Sequence, residues 1–363
     1  MTARILLVSV TPFFGGGEVH FVNLMRLLSE RYQVRALVVA PEAAQRLRDS
    51  GLDVVEIPNK ARTSVPGRYL YTASELLRQL RTFRPEIVQL NGQGESYLSL
   101  IPWLFGVPII CTRHVPFNEH IRGIRRLLVV MNLRLTTRIV CVSSLLRAQL
   151  SKVVSPTKLA IIPNWLESIP EPGQRTQDET DQPLRLLFVG RIEAIKGIFD
   201  LIVAMHSVRN ATLDVVGSGS MIDAARAAAA GLPITFHGFQ ADCGPFFRSA
   251  DLLVFPSHPD LEGQGQVPFE AMAHGLPCLI SNIEVALETA DEGTCAEVFP
   301  WGDSRELARK IAELQNKPER LKELRDLGLA RFRSTYTVDA IRKPCFQLYD
   351  EVIFQAKRKI VRL

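Results

Sequence analysis

The stretch Glu262-Gly-Gln-Gly-Gln-Val-Pro-Phe-Glu270-Ala-Met-Ala-His-Gly-Leu-Pro277 decides how this chain is read. Two carboxylates, with seven residues between them, stand across a Gly-rich loop, and the second falls where a helix is expected to begin. Pro268 suits the first helical position, where its φ is already set and its missing N–H costs nothing. That start puts Glu270 in the first helical turn. The backbone N–H groups around Gly265, Gln266 and Val267 then leave the helix end without intrahelical partners, which favours phosphate. Carboxylates on both sides of an anion site fit a ligand with hydroxyl-rich groups flanking its phosphates, such as a nucleotide sugar.

Outward from this stretch, short β-branched runs alternate with segments of helical period. Ile5–Val10, Val34–Val39, Asp53–Ile57, Ile87–Leu90, Pro108–Cys111, Arg138–Val142 and Leu159–Ile162 read as strands of a parallel sheet with helices on both faces. A polar, Pro-bearing stretch from Glu167 to Pro183 interrupts the pattern and reads as a linker. The alternation restarts with Leu184–Val189, Leu213–Val216, Ile234–Phe236, Leu252–Phe255 and Cys278–Ile280, and Val338–Leu363 is one long helical pattern. A chain of 363 residues is long enough for two domains, each with its own core.

No apolar run is long enough to span a bilayer, and Arg4 leads straight into a strand-like run, so neither a membrane helix nor a signal peptide is expected. The six cysteines are scattered without a Cys-x-x-Cys pair, which points to reduced core residues in a cytoplasmic protein. Charge is uneven. Residues 1–166 carry 21 Lys/Arg against 10 Asp/Glu, a balance of +11, and the remainder has a balance of −6. Arg122, Arg125 and Arg126 share a helical face beside Ile121, Ile124, Leu128 and Met131. This basic amphipathic segment reads either as a membrane or anionic-acceptor surface or as an ordinary solvated face. Nothing suggests nucleic acid binding, since no aromatic-interleaved basic stripe occurs.

The pair Glu262 and Glu270, followed by Ala-Met-Ala-x-Gly-Leu-Pro, resembles the E-x7-E signature of family 4 (group 1) glycosyltransferases, retaining enzymes of the GT-B fold. The resemblance implies an α/β architecture of two doubly wound Rossmann-like domains facing each other across a cleft. Residues 1–168 would form the acceptor-side domain, joined by a C-terminal helix at about 340–363. Residues 169–183 would be the linker, and 184–339 the nucleotide-sugar donor domain. The implied reaction is metal-independent transfer of a sugar from a nucleoside-diphosphate sugar, UDP ahead of GDP, to a glycan or lipid-linked hydroxyl. The implied setting is cell-envelope polysaccharide or glycolipid assembly, with the protein cytoplasmic or peripheral at the inner membrane face.

Further motifs supply chemistry. Gly190-Arg191-x4-Lys196-Gly197 puts a guanidinium and an ammonium at a strand end, where two cations can offset the charge that builds on a departing diphosphate. It resembles the diphosphate-binding motif of the same family. Gly15-Gly16-Gly17 follows the opening strand and precedes a helix at about Glu18–Ser29; three glycines permit close backbone approach to a ligand and φ > 0. In the family this loop lies near the donor diphosphate and sugar. His114, in Thr112-Arg113-His114, matches the family histidine that contacts the donor sugar, and Arg113 is an alternative cation there. Gly217, in Gly-Ser-Gly, lacks the third glycine of a dinucleotide fingerprint. The resemblance places it, with Gly238 and Phe239, near the nucleoside.

The resemblance thus gives Glu262, His114, Arg191 and Lys196 catalytic roles. It adds Gly263, Gln264, Gly265, Gln266, Val267 and Glu270 to the donor site, with Glu270 on the ribose hydroxyls. No Asp-x-Asp occurs, so no metal clamp and no cofactor are expected. The chain departs from the family at Ile283-Glu284-Val285, where a Gly-Gly pair is frequent, and at Gln264 and Gln266. A GT-B nucleotide-sugar epimerase or phosphorylase, or a non-catalytic nucleotide-sugar binding subunit, would share the same cations.

Overall fold

The structure, a computed structural model, describes residues 2–58, 64–92, 94–116, 123–173, 182–259 and 262–360. The chain divides into two compact units, Met1–Glu167 with Val338–Leu363, and Ser168–Thr337.

The first unit holds a parallel sheet of β1 (Arg4–Ser9), β2 (Gln33–Val38), β3 (Val54–Glu56), β4 (Ile87–Asn91), β5 (Ile109–Arg113), β6 (Arg138–Cys141) and β7 (Leu159–Ile161). Their order is β3-β2-β1-β4-β5-β6-β7, so the winding reverses between β1 and β4. Alternation along β1 explains the layers. Ile5 and Leu7 join Phe21, Met25 and Leu28 of the helix Gly16–Ser29, and Leu6 and Val8 join Leu76 and Leu80 of the helix Val65–Thr82. With both faces covered, the strand is apolar from Ile5 to Val8. The helix Val338–Ile360 packs Ile341, Cys345 and Val352 into the first of these layers. Its Tyr349 hydroxyl, fully buried, donates to Gln89 Oε1 at 2.7 Å.

The second unit repeats the plan with β8 (Leu184–Val189), β9 (Ala211–Val216), β10 (Ile234–Gly238), β11 (Leu252–Phe255), β12 (Cys278–Ser281) and β13 (Glu297–Phe299). The order β10-β9-β8-β11-β12-β13 reverses the winding between β8 and β11. In doubly wound sheets such a reversal opens a crevice at the strands' C-terminal ends, where ligands bind. The two-sheet architecture is the one expected of a GT-B protein.

Residues 174–181 of the expected linker lie outside the described residues. Its earlier part is tied to the second unit, since Gly173 N–H donates to His274 O at 2.9 Å and Arg325 donates to Gly173 O at 2.9 Å.

Candidate active site

In the second unit, the loops after β8, β9 and β11 are locked together at the reversal point. Gly217 sits at φ 138°, and a Cβ there would lie 1.9 Å from Gly190 O. A Cβ on Gly219 would lie 2.3 Å from Ile192 O. The second loop must therefore be glycine to lie flat on the first. Glu193 fastens them by accepting from Ser220 N–H at 3.0 Å and from the Ser220 hydroxyl at 2.8 Å. Gly197 sits at φ 71° with its backbone pressed on Pro256, whose O would lie 2.0 Å from an added Cβ. Gly217→Ala is accordingly expected to lose about 3 kcal/mol or more of stability. Gly231→Ala, at φ 80° but with open space around it, should lose about 1 kcal/mol. Urea unfolding of the two variants measures the difference.

This locking brings Lys196 to Glu262. Lys196 ends a short 3₁₀ turn, Ala194–Lys196, and His258 N–H donates to Ile195 O at 2.9 Å, holding the loop after β11 against it. The Lys196 ammonium donates to Glu262 Oε1 in an ion pair whose side chains are only 16% and 13% exposed. Ser257 Oγ donates to the same oxygen at 2.9 Å. Arg191, by contrast, is exposed, and among the described residues its side chain forms no ion pair.

The helix after the acidic loop runs Gln266–Ala273, with Gly265 as its N-cap at φ 67°. It begins two residues before the expected start at Pro268, because Gly265 adopts the left-handed conformation that turns the chain into the helix. Pro268 is then the third helical residue, still among the four that lack intrahelical donor partners. Glu270 consequently lies beyond the first turn. The N–H groups of Gln266 and Val267 remain at the open helix end, as the sequence suggests. Gly263 and Gln264 are buried, and the Gln264 carbonyl accepts from Thr289 Oγ1 at 3.2 Å. Glu270 is half-buried. Among the described residues its carboxylate has no hydrogen-bond or ion-pair partner, and burial pushes its pKa up to about 7. On β10, Gly238 takes φ 69°, and Phe239 beyond it is 75% exposed.

In the first unit, the helix starts at Gly16, so Gly16 and Gly17 are helical and Gly15 is the N-cap with an extended φ of −153°. The expectation that these glycines use positive φ is corrected. Their neighbours are at ordinary contact distance: a Cβ on Gly17 would lie 3.7 Å from His114 Cδ2. His114 follows β5 and is held by Asn91, the last residue of β4. Asn91 Nδ2 donates to Gly17 O at 3.0 Å, which leaves Asn91 Oδ1 to accept from His114 Nε2 at 3.0 Å. His114 thus carries its proton on Nε2, and its Nδ1 is buried without a hydrogen-bond partner. Burial, then the Arg113 charge, pushes its pKa down to about 4, so the ring is neutral at pH 7. His20 packs edge-on to it at 4.7 Å between ring centroids.

Arg113 is not the cleft-lining cation that the sequence allowed. Strand β5 runs two residues past Cys111, and Arg113 is completely buried. Arg122 lies outside the described residues. Arg125 falls in the helix Gly123–Leu135, where Arg126, Leu127, Leu128 and Met131 are exposed. Sequence reading missed Asn91 and Ser257. Both stand at or just past strand ends, the signal that singled out Arg191 and His114.

Two doubly wound parallel sheets, each with a reversal point, define the GT-B class of fold. The family model described as Glycosyltransferase Family 4 matches residues 14–167, and the one described as Glycosyl transferases group 1 matches residues 183–317. The chain belongs to this family of glycosyltransferases. The lipopolysaccharide core biosynthesis glycosyltransferase LpsD of Rhizobium meliloti is 25% identical over 353 residues, 95% of this chain and 97% of LpsD. A glycogen synthase of Mycobacterium tuberculosis is 23% identical over 315 residues, 79% of this chain and 74% of the synthase. Among solved structures, HepE of Anabaena in complex with UDP superposes with a TM-score of 0.82 at 17% identity, covering 97% of this chain and 100% of HepE. Sucrose-phosphate synthase of Thermosynechococcus elongatus gives 0.80 at 19% identity, covering 97% and 100%.

Proposed function

We propose that this glycosyltransferase moves a sugar, with retention of anomeric configuration, from a nucleoside-diphosphate sugar to a hydroxyl of a glycan or lipid-linked acceptor. UDP is favoured over GDP, and the setting is cell-envelope polysaccharide or glycolipid assembly. The observation that carries the reading is the Lys196–Glu262 ion pair in the loops at the open end of the helix Gln266–Ala273. A diphosphate offers Lys196 a stronger partner than a single carboxylate does. Its arrival exchanges partners, drawing the ammonium to phosphate and freeing Glu262 to accept from sugar hydroxyls and steady the oxocarbenium-like centre. Arg191 and the N–H groups of Gln266 and Val267 complete the charge balance on the departing diphosphate. The diphosphate oxygen takes the acceptor hydroxyl's proton on the face it leaves, which gives retention. Glu270 accepts from the ribose hydroxyls. No metal has a role in this scheme, since fixed cations do the neutralising.

HepE is solved in complex with UDP and also with UDP-glucose, which supports a UDP-sugar donor. LpsD is a glycosyltransferase of lipopolysaccharide core biosynthesis, which supports an envelope acceptor. Work at the cytoplasmic membrane face is supported by exposed Arg126 beside exposed Leu127 and Leu128. No described helix is long and apolar enough to cross a membrane. Proton NMR of the released sugar or glycoside tests the reaction. The expected first product keeps the donor's anomeric configuration and forms at the same rate with EDTA. An inverted product contradicts retention, and an isomerised nucleotide sugar formed without acceptor identifies an epimerase instead.

A further inference from the structure

The second unit has a cavity of about 410 Å³ at the N-terminal ends of its strands, the edge opposite the Lys196 and Glu262 loops. Arg185 borders it at the start of β8, Asp251 just before β11 and Pro277 just before β12. Arg185, Arg248, Lys322 and Arg325 bring four positive charges to its wall. Two of them have partners in place. Arg185 pairs with Asp251 at 3.1 Å, and Arg325 donates to Gly173 O at 2.9 Å. Arg248 and Lys322 are exposed, and among the described residues neither forms an ion pair. A further carboxylate, Asp242, stands close by and accepts from Gly244 N–H at 2.8 Å. Four cations against Asp251 and Asp242 still leave a balance of +2.

His274, also in the wall, is 8% exposed and follows the helix Gln266–Ala273. Its Nδ1–H donates to Glu270 O at 2.9 Å, which fixes the tautomer and leaves Nε2 as an acceptor. Phe247 stacks on the ring, 5.0 Å between centroids, and holds its plane. Burial lowers the pKa of His274, so the ring is neutral at pH 7. Gly244 keeps space open beside it: a Cβ there would lie 3.0 Å from Arg248 Nη1 and 3.5 Å from His274 Nε2. Across the cavity, the Gln315 amide donates to Asn210 O at 2.6 Å, which leaves its carbonyl to accept from a hydroxyl. Surplus cations suit a phosphate, and neutral acceptors around them suit the hydroxyls of its carrier. We propose that this cavity is a second binding site, for a small phosphorylated sugar, with the phosphate between Arg248 and Lys322 and a sugar hydroxyl donating to His274 Nε2. The site is separate from the donor loops. The eight-residue helix Gln266–Ala273 turns its open end to those loops and its other end to the cavity, which puts the two roughly 12 Å apart.

The test uses the full chain with glucose 6-phosphate, glucose and inorganic phosphate, read by calorimetry and thermal shift with and without saturating UDP. Glucose 6-phosphate should bind more tightly than either partial probe, and as well with UDP as without it. Changing Arg248→Ala and Lys322→Ala together should weaken it about 10–100-fold. Both side chains are exposed, so the Tm of the free protein and the affinity for UDP should stay as in the wild type. Lys196→Ala should leave glucose 6-phosphate binding unchanged. Binding no tighter than that of inorganic phosphate, unchanged in the double variant, or lost in Lys196→Ala overturns the proposal. Asp178, Glu179 and Asp181 lie outside the described residues, between Gly173 and Gln182 on the cavity's rim. If glucose 6-phosphate binds only after these three become Asn, Gln and Asn, the cations serve the chain's own carboxylates and the proposal falls. If UDP fails to bind while glucose 6-phosphate binds as expected, the donor reading falls alone.

Discussion

Lys196→Ala is expected to lower kcat/KM by about 10²–10³-fold, the usual cost of removing one fixed group that meets developing charge. Stability should suffer as well. Glu262 is only 13% exposed and, among the described residues, would keep Ser257 as a partner. Losing the ammonium thus leaves a largely buried carboxylate uncompensated, at a cost of up to about 3 kcal/mol in stability. The double variant Lys196→Met with Glu262→Gln removes both charges and should recover most of that stability while remaining inactive. Urea unfolding and steady-state kinetics on Lys196→Met, Glu262→Gln and the double separate these effects. Near-additive stability losses would mean that the ion pair is not formed in solution.

Glu270 governs the second large effect. Its pKa of about 7, against an ordinary 4.5, arises from burial. Between those values the native state holds a proton that the unfolded chain releases, so stability falls as pH rises from about 4.5 to 7 and then levels off. Glu95 is shifted in the same direction by burial, and each group contributes about 3 kcal/mol at most across this window. Glu270→Gln should remove one share of the slope and Glu95→Gln the other. Nucleotide affinity should move the opposite way. The ionised carboxylate is the better acceptor for ribose hydroxyls, so binding strengthens as pH rises through about 7. Glu270→Ala should weaken nucleotide binding about 10–100-fold, the worth of hydrogen bonds to a charged acceptor. Calorimetry from pH 5.5 to 8.5 reads both. An affinity flat with pH in the wild type would remove Glu270 from the nucleotide site.

The sequence made the two-sheet architecture legible because central strands covered on both faces are continuous apolar runs, Ile5–Val8 and Leu252–Phe255 among them. β13 was missed: Glu297–Phe299 is three residues long and begins with a charge, too short for any period to show. The helix start at Gln266 was misplaced because Pro268 is acceptable at any of the first positions, and the turn depended on the φ of Gly265. Arg113 was misread because a charge at the end of an apolar run looks like a loop. Pairing with Cys141 of β6 extends the strand and turns the side chain into the core. The motif residues themselves were readable. That Lys196 and Glu262, 66 positions apart, share one contact was not, because it depends on Gly197, Gly217 and Gly219 letting three loops lie backbone to backbone.

If the Lys196–Glu262 loops hold the diphosphate of a nucleotide sugar, nucleotide binding must depend on Lys196. Calorimetric titration of UDP, GDP and ADP and a panel of their sugars into wild type and Lys196→Ala tests this most directly. Saturable binding of one nucleotide, UDP first, that is lost in Lys196→Ala is the predicted result. Binding that survives the substitution, or no binding of any nucleotide by the wild type, would contradict it.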